Sequence, residues 1–119
     1  MPVSDLESVL QELNSANPSI LLSIVVSPDG LVIAHEGNVQ DADRVAALYI
    51  ELQLVCGKII DELQYGQVEE MFIRSSSGCV TILPVFDKAI LACMSTPDVN
   101  SGMLQLVTWK AVNRLARLL

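Results

Sequence analysis

Two stretches, Ile20 to Val26 (ILLSIVV) and Ala89 to Met94 (AILACM), are apolar at both odd and even positions. An extended strand sends successive side chains to opposite sides, so a sheet built from these segments has two greasy faces, and something must cover each of them. The rest of the chain has to supply that cover. Its 119 residues leave room for one domain over positions 1–119 with one compact core. Hydrophobic residues are 51% and charged residues 18%, which excludes wholesale disorder, and with aromatics at only 4% aliphatic packing must fill the core.

Three helices are available as cover. Ser4-Asp5-Leu6-Glu7 has the S-x-x-E form in which a hydroxyl and a carboxylate satisfy the first N–H groups of a helix. Leu6, Val9, Leu10 and Leu13 follow at i, i+3, i+4 and i+7, and Asn17-Pro18 ends the run. A second, long helix is expected from the carboxylates Asp41 and Asp43 to Tyr65, with Gly66 as its stop. A third starts at Asn100 or Ser101 and buries Leu104, Val107, Ala111, Leu115 and Leu118, while Lys110, Arg114 and Arg117 suit its negative end.

Between the helices lie the strands. Ser27-Pro28-Asp29-Gly30 supplies a preset φ, a side chain that bonds its own backbone and a residue tolerant of positive φ, so Ile20–Val26 and the run Leu31–Ala34 form a hairpin. Val68–Arg74, Cys79–Val85 and Lys88–Ser95 read as a meander, the first charged like an exposed edge and the last apolar like an inner strand. Pro84 sits late in its strand, where a lost donor matters least. The order αββαβββα predicts an α+β, three-layer α/β/α sandwich around a five-stranded antiparallel sheet.

The inventory of reactive groups is short. Net charge is −7, the wrong sign for neutralising phosphates, so nucleic acid is not expected as a partner. No apolar run reaches the roughly 18 to 20 residues of a membrane span, and no basic start precedes an apolar core, so neither membrane insertion nor export is expected and the cytoplasm is the expected compartment. Cys56, Cys79 and Cys93 are odd in number, lack a C-x-x-C pair and sit in apolar runs, which predicts buried thiols rather than a disulfide or zinc site. The single histidine, His35, reads as a surface residue after the second strand rather than a base. Cys56-Gly57-Lys58 lies within a helix and lacks the first glycine and the Ser/Thr of a phosphate loop. Asp41/Asp43, Asp61/Glu62 and Glu69/Glu70 fit capping or solvated positions. No catalytic residue, cofactor or metal is expected.

What remains is surface. On the second helix, Val45, Leu48, Tyr49, Leu52, Cys56, Ile59, Ile60 and Leu63 form the face expected to pack on the sheet. Ala46, Ala47, Ile50, Leu54 and Gly57 form a second apolar group behind it, flanked by Asp43, Glu51, Lys58 and Asp61. A helix apolar on two sides is buried twice or exposes a sticky face, and small residues beside Ile50 and Leu54 fit the close approach of a second copy. Partner specificity is expected from Asp43, Glu51 and Lys58 around it. Trp109 and Leu106 fall off the main stripe of the last helix, where packing on the first helix is expected and anchoring of a partner is the other reading.

With this element order, the segment LQELNSANPSILLSIVVSPDGLVIAHE (Leu10–Glu36) and the ending NSGMLQLVTWKAVNRLARLL, the chain resembles the Roadblock/dynein light chain family over nearly its whole length. The most specific piece is the apolar strand followed by Ser27-Pro28-Asp29-Gly30-Leu31-Val32-Ile33-Ala34, where the family carries a D-G-x-x-I-A hairpin. The resemblance implies dimers in which the second helices pack together and the third strands pair into a continuous sheet, with Val68, Glu70 and Phe72 on that edge and Asp61 beside it. It also implies a regulatory module that binds a small Ras-like GTPase, or, as the alternative, a structural adaptor indifferent to nucleotide state.

Overall fold

In the computed structural model, which describes residues 3–38 and 42–119, the elements are α1 (Val3–Ala16), β1 (Ile20–Val26), β2 (Val32–Glu36), α2 (Ala42–Glu62), β3 (Met71–Arg74), β4 (Cys79–Val85), β5 (Ala89–Ser95) and α3 (Ser101–Leu118). The five strands form one antiparallel sheet in the order β2-β1-β5-β4-β3. β5 occupies the centre, which is why both of its faces are apolar. Ala89, Leu91 and Cys93 point to the α1/α3 side, where Leu6, Leu10, Leu104 and Leu115 are buried. Ile90 and Ala92 point to the other side, beside Ile24, Val26, Ile82 and Ala46 of α2. The expected element order, the α/β/α layering, the edge position of β3 and the inner position of β5 are therefore those of the fold.

Several boundaries move, each for a local reason. α1 already includes Val3, so Ser4 lies in its first turn instead of capping it, and its carbonyl accepts the Ser8 hydroxyl at 2.9 Å. Ile20 packs on the α1/α3 side, not with Leu22, Ile24 and Val26, because the β1–β5 register slips between Ile20 and Leu22. β2 runs to Glu36, so His35 is an exposed strand residue opposite Ile24 rather than part of a loop. Asp41, expected at the start of α2, lies outside the described residues.

The hairpin closes as its sequence requires. Ser27 N–H donates to Leu31 O at 2.8 Å and Gly30 N–H to Ser27 O at 2.9 Å, with Gly30 at φ +88°. The Ser27 hydroxyl also bonds the Asp29 carboxylate. A polar tie then fastens α1 to the sheet: buried Ser23 donates to Asn14 Oδ1 at 2.7 Å, and Asn14 Nδ2 donates to Glu36 O at 3.2 Å.

α2 ends at Glu62, short of the expected Tyr65. Tyr65 N–H reaches back to Ile60 O at 3.1 Å and Gln64 N–H to Asp61 O at 3.0 Å, with Gln64 at φ +58°. These paired bonds are a Schellman termination in which Gln64, not Gly66, takes the left-handed position. The strand expected from Val68 forms only at Met71, opposite Ile82, so Leu83 to Val85 of β4 have no β3 neighbour. The Ser75–Gly78 bond of 2.9 Å sets the alternation of the β3–β4 ladder, which aims the polar backbone of Pro84 at that open side. The donor that proline lacks is one the sheet never uses.

Asn100 caps α3 by accepting Met103 N–H at 3.0 Å. At its other end Lys88 from the β4–β5 turn donates to Ala116 O at 3.3 Å and Leu119 O at 3.1 Å, a cation supplied from outside the helix. Arg114 pairs with Glu12 of α1.

Candidate interaction surface

The faces of α2 are turned relative to the expectation. Ala46 is fully buried against the sheet, and Tyr49, Ile50, Gln53, Cys56, Gly57 and Ile60 follow it at helical spacing as half-buried residues. Leu48, Ile59 and Leu63, expected on the sheet, are instead more than half exposed, as is Val55. Ala46, buried with Ile24, Val26 and Ile90, marks the face that α2 turns to the sheet. Of the residues assigned to the rear group, Ala46 is thus internal and Ile50 and Gly57 are half-buried, while Ala47 and Leu54 are exposed, Leu54 at 61%. Ala47 lies against the hairpin tip, its Cα 3.6 Å from where a Cβ on Gly30 would stand.

The outward surface of α2 therefore carries Leu48, Val55 and Ile59 on one flank and Leu54 on the other, with Glu51, Lys58 and Glu62 between them. Asp43 and Asp61 are exposed beside it. Leu48 and Ile59 were grouped together in the sequence and Val55 was in neither group; what one sequence could not show is which of two apolar stripes faces inward.

At the sheet edge, β3 pairs with β4 alone among the described residues and leaves its other side open. Phe72 and Ile73 are exposed, and the Arg74 guanidinium lies 5.4 Å from the Phe72 ring centre while Nη1 donates to Pro97 O at 3.0 Å. Glu70 accepts Gln105 Nε2 at 2.7 Å, and Val68 is half-buried ahead of the strand.

Trp109 does not pack on α1. α1 meets the Val107, Lys110, Ala111 and Arg114 side of α3, and Trp109 on the opposite side lines an open groove of about 1280 Å³ together with Tyr65 and Phe86. That grouping was missed in the sequence, since the three aromatics are far apart along the chain and Phe86 sits in the three-residue β4–β5 connection.

Burial pushes the Cys93 thiol up to about 12, which keeps it protonated and unreactive. The Tyr49 hydroxyl is also raised, mainly by burial and secondarily by Cys93. The three cysteines are free, Cys79 and Cys93 buried and Cys56 half-buried. Among the described residues no cluster of three His, Cys, Asp or Glu side chains could hold a metal, and no helix is long and apolar enough to cross a membrane.

A family model for the Roadblock/LC7 domain matches residues 6–95, from α1 to the end of β5. The chain belongs to the Roadblock/LC7 domain family. Solved Roadblock-like structures extend the likeness through α3. MglB of Myxococcus xanthus is 18% identical and superposes with a TM-score of 0.90, covering 98% of this chain and 88% of that one. The gliding protein MglB of Thermus thermophilus gives 0.89 at 17% identity, covering 98% and 89%. A Roadblock/LC7 domain from Streptomyces avermitilis gives 0.88 at 19% identity, covering 94% and 95%. At these identities the likeness is one of fold. A sequence comparison with curated proteins finds no match. Roadblock/LC7 domains are generally non-catalytic regulatory modules.

Proposed function

We propose that the protein is a homodimeric regulatory module that binds a small Ras-like GTPase and biases its switch regions by positioning, without covalent chemistry. The observation that carries the dimer is the outward face of α2, where Leu48, Leu54, Val55 and Ile59 are each more than half exposed on one helix. Leu48, Val55 and Ile59 form an apolar strip along one flank, and exposed apolar surface of this kind on a folded domain marks an interface. A second α2 crossing it would bury both flanks, with Ala47 permitting close approach, and the open edge of β3 at Met71 to Arg74 would extend the sheet into the partner. One solved MglB is described as having a tetrameric arrangement, so self-association occurs on this fold.

The GTPase reading rests on the family. Asp43, Glu51 and Lys58 stay solvent-exposed on α2 and are available to select a partner. The test is capture from source-cell lysate on the immobilised protein with GTPγS or GDP present, followed by hydrolysis and exchange assays with the captured GTPase. Retention that differs between the nucleotides, together with a changed rate, is expected. Capture of the same assembly in both states with unaltered rates would make the protein a structural adaptor instead.

A further inference from the structure

The groove at the open side of β4 has a composition that α2 and β3 do not explain. Three of the five aromatic residues of the chain, Tyr65, Phe86 and Trp109, line it. Its charged residues are Asp61, Glu69 and Asp87, and none of the described lining residues is Lys or Arg. Gln53 also lines it, with a buried Oε1 that has no hydrogen-bond partner. Phe86 is held at φ +51°, a conformation costly for a bulky side chain, and the residue is 71% exposed. The fold thus keeps a strained, water-facing aromatic beside two others, in a groove that offers negative charge and unused acceptors.

We propose that this groove binds an extended, arginine-bearing peptide segment of a partner protein. A guanidinium has only donors, stacks on aromatic faces and pairs with carboxylates, so it answers all three features at once, which a lysine ammonium does less well. The groove exceeds the usual 300 to 1,000 Å³ of a small-molecule site, and β4 beyond Ile82 leaves the Pro84 carbonyl free for the backbone of an extended chain. Charge complementarity favours a basic segment over a second copy of this chain, which carries a net charge of −7.

Trp109 is the only tryptophan, so its emission reports the groove directly. The probe is a capped (Arg-Gly-Gly)₃ peptide titrated at low salt. A saturable change in Trp109 emission is expected, with no response to (Gln-Gly-Gly)₃. The double variant Glu69→Gln/Asp87→Asn should weaken binding by about five- to tenfold, as the loss of two exposed charge pairs predicts. Asp5→Asn/Glu7→Gln, which changes net charge equally on α1, should leave binding unchanged. Phe86→Gly should weaken it without lowering the melting temperature, because glycine relieves the backbone strain. Ile59→Asp, which breaks the proposed dimer, should still bind the peptide, so this inference stands or falls apart from the functional reading. An equal response to the glutamine peptide, equal weakening by the α1 variant, or no saturable change would overturn it. Emission that instead shifts with protein concentration alone would assign the groove to a second copy and overturn it too.

Discussion

Single residues in this fold carry costs that can be isolated. Cys93 is fully buried and holds its proton to about 12, whereas the unfolded thiol ionises near 9. The neutral thiol therefore contributes its full share of stability below pH 9 and loses it as pH rises from 9 toward 12, at about 1.4 kcal/mol per pH unit. Denaturant midpoints should fall across pH 9 to 11, and less steeply in Cys93→Ala; the remaining decline includes Tyr49, which is shifted in the same direction. Backbone strain is equally local. Gln64 takes the left-handed position that ends α2, so Gln64→Gly should raise stability by about 0.5 to 1 kcal/mol, measured by chemical denaturation. Gly37 is the opposite case. At φ +110°, a Cβ there would stand 2.5 Å from Leu21 O, so Gly37→Ala should cost about 2 kcal/mol or more.

At the scale of elements, α2 shows what pattern can and cannot decide. Strand identity, the Ser27–Gly30 hairpin and a cap at Asn100 or Ser101 were legible because each rests on local chemistry: alternation, turn residues, a side-chain acceptor. The inward face of α2 was not legible. Its apolar residues wrap most of the circumference, and the choice between Leu48 and Ala46 as the inward residue is made by the depth of the sheet surface below, which is a tertiary quantity. The end of α2 was misplaced for a related reason, since Gly66 is the commoner stop and Gln64 adopts the strained conformation only because Ile60 and Asp61 carbonyls are satisfied by it. The groove was invisible because it is assembled from α2, α3 and two connections. The complete burial of Ala46 makes a prediction of its own. Ala46→Leu overpacks a site with no free surface and should destabilise the fold by about 1 to 3 kcal/mol, whereas Ala47→Leu, one residue along and exposed, should change monomer stability by far less.

For the whole molecule, the proposed dimer links association to stability. If only the folded state associates, the melting temperature rises with protein concentration, because mass action favours whichever state binds a partner. That dependence should be present in the natural sequence and absent in Ile59→Asp, where an unpaired carboxylate would have to be desolvated against a second apolar helix at a cost on the order of several kcal/mol. Leu54 lies on the other flank of the same outward face, so Leu54→Asp should weaken the dimer as well. Neither variant disturbs a buried side chain of the monomer, and both should melt like the natural protein at high dilution. Sedimentation at micromolar concentration separates the outcomes: two lighter species with unchanged monomer stability support the α2 seam, while an undiminished dimer in both would move the contact to the β3 edge, where Phe72→Asp becomes the decisive variant.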